Sequence, residues 1–385
     1  MLPFVRMFEY GNVAPIQPKI IQMECLNGGV YLLYDNGELY YRGRNSNGLA
    51  GDGTNTSKSS SWILSNTNVA MLSKGVSNYA VVRKKDNTFW MTGSYNLFDV
   101  SGWTKYRWND VTSNFSEVSS NLICVYCNGG GVLTLRSDGT LYAFGTSTSG
   151  QLGFGSATTI NTFTKVAESV STNPDNVIAV LGGCYYIDEN NRLFATGVNT
   201  NGQLGIGSTV NALSFTLVNT GTTYPVVKSI MANANGANIL AYKSDDSAYV
   251  TAASGYLSYI GTGQTSGIGT IFSNYAALNN PDNFNILKLS TSLGNTNAML
   301  VVTDKGVYAT GMNNYYQLGT DNSTNQTSYV KVVGLPDDAD TTTIRFLGGT
   351  AEGSACVYRD KLYVSGVLGQ WGAGYPKFTE LEIPY

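Results

Sequence analysis

Asp138-Gly139-Thr140-Leu141-Tyr142-Ala143-Phe144-Gly145, followed by Ser149-Gly150-Gln151-Leu152-Gly153-Phe154-Gly155, decides the fold, because the chain repeats it. The phrase returns as Asn191-Arg192-Leu193-Phe194-Ala195-Thr196-Gly197 with Gly202-Gln203-Leu204-Gly205-Ile206-Gly207, and as Lys305-Gly306-Val307-Tyr308-Ala309-Thr310-Gly311 with Gln317-Leu318-Gly319. Weaker copies run from Asn36 to Gly43, Asp86 to Gly93, Asp246 to Ala252 and Asp360 to Gly366. The aligned positions are 43, 93, 145, 197, 252, 311 and 366, which makes seven units spaced 50 to 59 residues apart. A period of that length marks a propeller, a solenoid or an array, in which one supersecondary unit stacks on its copies.

Each unit reads as strand, turn, strand, turn, strand, loop. In the third, Asn121 to Cys127 is apolar, Gly129-Gly130-Gly131 turns, and Val132 to Arg136 alternates. An Asp-Gly between strand formers then signals a hairpin into Leu141 to Phe144. No stretch shows the 3.6-residue periodicity of an amphipathic helix. Gly43, Gly93, Gly145, Gly197, Gly311 and Gly366 end a strand where the chain leaves the unit. Leu152, Leu204 and Leu318 are expected to be buried between units by the loops that follow. Glycine pairs before the second strand (Gly28-Gly29, Gly182-Gly183, Gly348-Gly349) are expected where strands crowd a central axis.

An aromatic residue leading a short strand-like run recurs at Trp62, Trp103, Phe163, Phe215, Tyr275, Tyr329 and Phe378. Each follows its glycine phrase, so the last lies beyond the final unit. The expectation drawn is that Phe378 to Ile383 pairs into the first unit and closes a ring, leaving no sheet edge exposed.

The repeat resembles that of the RCC1-like family, roughly D-G-x-L-Y-x-x-G-x-N-x-x-G-Q-L-G-x-G, across residues 20 to 385. The resemblance implies an all-β fold, a seven-bladed β-propeller of four-stranded blades, preceded by an extension over residues 1 to 19 that is expected to act as an anchor. It also implies, as one alternative, a nucleotide-exchange factor for a small GTPase. The chain departs from the family in having no histidine, where the family often carries one before the Leu-Tyr strand.

Composition narrows the function. Hydrophobic residues make up 42% of the 385-residue chain, enough for a core, but only 13% are charged. Asn, Ser, Thr and 26 tyrosines supply the polar surface, a balance that suits an extracellular or virion surface. With a net charge of −3 and no basic stripe, phosphate neutralisation is not on offer, which argues against a nucleic-acid partner. Residues 1 to 19 lack the apolar core of a signal peptide, and no run reaches the ~20 apolar residues of a membrane helix.

The chemistry-bearing residues are sparse. Cys124 and Cys127 have metal-ligand spacing, but on a strand residues three apart face opposite sides, so buried thiols are expected. Without histidine there is no Ser-His-Asp or Cys-His set. Gly261 to Gly267 lacks the lysine and the following helix of a phosphate loop. Asp337, Asp338 and Asp340 lack the alternation and closing glutamate of a calcium loop. No catalytic residue, metal or cofactor is therefore assigned. Bulky rings replace small loop residues at Tyr95, Phe98, Tyr256, Tyr259, Tyr315, Tyr316 and Trp371, and these are the candidate partner contacts. The reading is a non-enzymatic binding propeller, set as a component of a bacteriophage particle (tail, fibre or head decoration). Its partners would be other structural proteins of the assembly, or a host surface glycan or receptor. An inhibitor or lectin-like propeller stands beside the exchange factor as an alternative.

Overall fold

The computed structural model describes residues 17–26, 28–75, 77–218, 226–232, 238–243, 248–252, 273–274, 282, 284–289, 291–292, 298–338, 343–350, 352–367 and 374–385. Residues 1 to 16 of the expected anchor, the glycine loop at 261 to 267, and Tyr256, Tyr259 and Trp371 lie outside them.

Among the described residues the strands form seven antiparallel sheets, each a consecutive stretch of chain. The first runs Ile20–Leu26, Gly29–Tyr34, Leu39–Gly43 and Lys58–Asn66. The second runs Val69–Leu72, Tyr79–Lys84, Phe89–Gly93 and Asn109–Asp110, and the third Leu122–Cys127, Gly131–Arg136, Leu141–Thr146 and Thr159–Ala167. The fourth is Val177–Val180, Gly183–Ile187, Leu193–Gly197 and Ala212–Leu217, and the fifth Val227–Ala232, Asn238–Lys243, Ala248–Ala252 and Ser273–Asn274. The sixth is Ile286–Leu289, Ala298–Thr303, Gly306–Gly311 and Gln326–Lys331, and the seventh Ile344–Gly349, Gly353–Tyr358, Lys361–Gly366 and Tyr375–Leu381. Two short segments cross between sheets: Lys74–Gly75 pairs in parallel with Tyr126 and Cys127, and Thr291–Ser292 with Gly348 and Gly349.

The burial pattern explains why the sheets stack face to face. Second strands such as Gly29–Tyr34, Ala298–Thr303 and Gly353–Tyr358 are buried at every position, because both of their faces meet a neighbouring sheet. Along Gly29–Tyr34 the residues alternate between neighbours. Tyr31 and Leu33 pack with Val69, Leu72, Ala80 and Val82 of the second sheet. Val30, Leu32 and Tyr34 pack with Ala355, Val357, Leu362 and Val364 of the seventh. Outer strands are largely exposed; in Thr159–Ala167 only Phe163 is buried, in Gln326–Lys331 only Tyr329 and in Tyr375–Leu381 only Phe378.

The seventh sheet corrects the expected closure. Tyr375–Leu381 pairs with Lys361–Gly366 of its own sheet (Leu362 opposite Leu381, Val364 opposite Thr379), not with the first. The markers Trp62, Phe163, Phe215, Tyr329 and Phe378 each belong to their own unit's outer strand, and Tyr275 lies outside the described residues. Trp62 lies in Lys58–Asn66, so the first sheet has no vacancy for a borrowed strand. Trp103 is a poor marker, since it sits in a turn ahead of the two-residue outer strand Asn109–Asp110. Side chains join the first and last sheets instead. Arg44 Nη2 lies 3.2 Å from Glu352 Oε1, and Trp62 Nε1 donates to the Glu382 carbonyl at 3.0 Å. The Tyr385 ring meets Tyr34 edge-on at 5.0 Å while its hydroxyl donates to Glu38.

For Gly28-Gly29 and Gly182-Gly183 the cause is a contact within the unit, whereas Gly348-Gly349 ends a first strand and pairs with Ser354 and Ala355. Gly29 faces Gly43, Gly131 faces Gly145, Gly183 faces Gly197 and Gly353 faces Gly366 across the second and third strands. A Cβ on Gly145, whose φ is +120°, would lie 2.4 Å from the Gly130 carbonyl oxygen and 2.7 Å from the Gly131 Cα. The backbones touch there, and only glycine fits.

The Gly-Gln-Leu-Gly loops of the third and sixth units bind each to the next. Leu152, Leu204 and Leu318 are fully buried. The Thr196 hydroxyl of the fourth sheet donates to the Gly150 carbonyl at 2.7 Å, and the Ser354 hydroxyl of the seventh donates to that of Gln317 at 2.7 Å. A buried asparagine at the root of the loop holds it closed. Asn199 accepts from Leu204 N and donates to the Ser208 and Val210 carbonyls, and Asn313 repeats this with Leu318 N and the Asn322 carbonyl.

Candidate functional site

The first strand of each sheet lines a common cavity of about 640 Å³, walled by residues of all seven sheets. Its mouth is shaped by a repeated irregularity. In six sheets the first strand carries a register shift near its start, at Ile20/Gln22, Val69/Met71, Leu122/Cys124, Val227/Ser229, Ile286/Lys288 and Ile344/Phe346. A bulge leaves one residue unpaired and re-aims its side chain. The residues so placed are Ile21, Ala70, Ile123, Lys228, Leu287 and Arg345. All but Ala70 line the cavity. Ile21 and Leu287 are 42% and 47% exposed, high for such side chains, and Lys228 and Arg345 are exposed as well. The fourth sheet, which has no such bulge, is preceded by a turn at Pro174–Asn176, tied down by the Tyr126 hydroxyl donating to the Pro174 carbonyl at 2.8 Å.

Six charged side chains line this cavity: Glu24, Lys74, Asp175, Lys228, Lys288 and Arg345. The two carboxylates are grouped around Lys74, whose Nζ donates to Asp175 Oδ1. Burial pushes the Glu24 carboxyl up to about 7, against the pull of Lys74 and a 2.9 Å hydrogen bond from Gln22. Burial also opposes ionisation of Asp175, but the charge and hydrogen bond of Lys74 outweigh it and hold that carboxyl below the usual range. The other three cations sit on the fifth, sixth and seventh sheets. Lys288 Nζ donates to the Arg345 carbonyl at 3.0 Å, and Arg345 Nη1 lies 2.7 Å from Asp360 Oδ1.

The aromatic candidates do not gather at this mouth. Tyr95 and Tyr315 are 55% and 45% exposed in loops after third strands, and Tyr316 is partly buried. None of the three lines the cavity. Phe98 is a correction: it is 6% exposed and packs among Phe115, Phe144 and Phe163 between the second and third sheets. The second unit has no Gly-Gln-Leu-Gly loop, and the residue its loop buries is this ring. Cys124 and Cys127 lie on opposite faces of their strand in different core clusters. All five thiols are free and buried, and no group of metal-binding side chains occurs among the described residues. Asp338 accepts from Tyr358 at 2.6 Å and pairs with Arg359, so it fastens a turn.

Comparison with solved structures follows the geometry. Yeast RCC1 (Prp20), in its complex with Kap60, superposes with a TM-score of 0.70 at 15% identity, covering 92% of this chain and 85% of that one. The fold is that of the RCC1-like β-propellers. Prp20p from Saccharomyces cerevisiae, in a study of its binding to Gsp1p and histones, gives 0.68 at 15% identity over 91% and 87% of the two chains. Human WBSCR16 gives 0.67 at 15% identity over 89% and 88%. A scan of the sequence against known protein families finds no match.

The mouth residues had a signal in the sequence that the loop-centred reading passed over. Val227-Lys228-Ser229-Ile230, Ile286-Leu287-Lys288-Leu289 and Ile344-Arg345-Phe346-Leu347 each place a cation among the first residues of a largely apolar strand. A buried first strand has no reason to carry one unless that position opens onto a cavity.

Proposed function

We propose that this protein is a non-enzymatic propeller of seven blades, closed through side chains at the seam of the first and last, that holds a protein partner against its axial mouth. The observation that carries the reading is the ring of bulge residues. Five units aim an unpaired side chain at one opening, and large apolar side chains stand exposed there beside cations. Likeness to Prp20, studied with Kap60, Gsp1p and histones, supports protein partners in general. Amine-reactive cross-linking of the purified chain in an extract of its source cells tests this. Partner cross-links are expected at Lys228 and Lys288; cross-links confined to outer-strand lysines such as Lys165 and Lys331 would refute it.

A second reading, nucleotide exchange on a small GTPase, draws on the same likeness to a protein studied with Gsp1p. Acceleration of fluorescent GDP release from Gsp1p would establish it, and an unchanged rate would remove it. The virion setting rests on the surface-like composition, the lack of a signal-peptide pattern and the lack of an active-site set, and the similar solved structures lend it no support; mass spectrometry of purified particles decides it.

A further inference from the structure

The charges around the mouth answer one another. Lys74 pairs with Asp175 and draws on Glu24, Asp175 acts on Lys288 as well, and Arg345 pairs with Asp360. The rim's exposed surface includes two large apolar side chains, Ile21 and Leu287, and Ile123 is half-buried. An occupant suited to this opening is apolar and close to neutral, and the sequence holds one beside the rim. The described chain enters at Gln17, and Lys19, two residues before Ile21, is fixed to the first hairpin. Its N–H donates to Asp35 Oδ1 at 3.2 Å, and its carbonyl accepts from Asp35 N at 3.0 Å. Ahead of it run residues 1 to 16, outside the described part of the chain. Their sequence sets Leu2, Phe4, Val5, Met7, Phe8 and Tyr10 beside one cation, Arg6, and one carboxylate, Glu9. Side chains of this kind gain by leaving water. Fully extended, such a segment reaches ~50 Å, ample to turn back over an opening next to its point of attachment. A cavity of about 640 Å³ accepts several of its side chains. The tether holds the segment at an effective concentration on the order of millimolar, an advantage that a free segment of the same composition lacks.

Resting on the reading that the mouth is the partner face, we propose that residues 1 to 16 seat apolar side chains, Phe4 and Phe8 foremost, on Ile21, Ile123 and Leu287 of the same molecule and compete there with the partner. Held by burial of a few side chains, the seat is filled in part of the molecules and yields to a partner that binds more tightly. The contact is apolar, so salt does not weaken it.

The test is photo-cross-linking in the full chain with p-benzoylphenylalanine in place of Phe8. Cross-links within one molecule are expected on the strands that carry Ile21, Ile123 or Leu287, undiminished at high salt. Leu287→Asp should reduce them about tenfold or more, the worth of one buried side chain. An unchanged melting temperature confirms that each variant is folded. Hydroxyl-radical footprinting gives a second reading. Phe4→Ser combined with Phe8→Ser should raise oxidation of Ile21 and Leu287 about twofold, the change due from a seat filled in half the molecules, and leave Leu64 and Leu213 as they were. Cross-links on the outer strands, cross-links joining two molecules, or oxidation unchanged by the serine pair would each overturn the proposal. If a partner cross-links at Lys228 and Lys288 while the segment never reaches the mouth, the partner face stands and only this occupant is refuted.

Discussion

Tyr385→Ala tests how the first and last sheets are joined. The Tyr385 ring meets Tyr34 at 5.0 Å and Tyr40 at 6.1 Å, both edge-on. Its hydroxyl donates to Glu38 and accepts from Asn36 Nδ2 at 3.2 Å. Edge-to-face pairs contribute about 0.5–1.5 kcal/mol each, and a hydrogen bond to a charged group about 1.5–3 kcal/mol. Tyr385 is 43% exposed, so water replaces part of both contributions. A net loss of about 2 kcal/mol is expected. With an unfolding entropy of about 2.1 cal/mol/K per residue, that lowers the melting temperature of a chain this size by roughly 2–3 °C. Scanning calorimetry measures it, and Tyr34→Phe is the control, since the Tyr34 hydroxyl is buried without a partner and its removal should cost nothing. The reasoning fails if Tyr385→Ala melts with the wild type, or if Tyr34→Phe falls as far.

Three further outcomes are expected. Gly145→Ala should destabilise by about 2–4 kcal/mol in urea titrations, from the strained backbone plus the clash with Gly130 and Gly131, whereas Gly102→Ala, with nothing within 4 Å of its added methyl, should lose about 1 kcal/mol. Asn199→Ala should cost about 2–4 kcal/mol by the same measurement, because Leu204 N and the Ser208 and Val210 carbonyls lose their partner. Glu24→Gln should flatten part of the pH dependence of stability: a carboxyl raised from 4.5 to about 7 contributes stability fully present below pH 4.5 and lost as pH rises through about 7. The variant should therefore melt higher than wild type at pH 8 and no higher at pH 4; the reverse order would show that Lys74, not burial, governs the group.

The sequence disclosed the unit because its signals are local. Asp138-Gly139 sets a hairpin, and the strand-ending glycines are required by a backbone contact within one unit. The partner of the last strand is less legible, because Phe378 looks the same whichever sheet it joins. Phe98 misled for a related reason, since a ring in a rewritten loop reads as exposed whether or not the loop buries it. The mouth was hardest to see. A bulge shifts the register by one residue, so Lys228 and Arg345 fall where simple alternation would hide them.

Hydroxyl-radical footprinting of the chain, alone and with the partner that cross-linking retrieves, tests the central claim most directly. Protection is predicted at Ile21, Ile123 and Leu287, with Leu64 and Leu213 on the outer strands unchanged. Protection of the outer strands with the mouth still open to oxidation would contradict it.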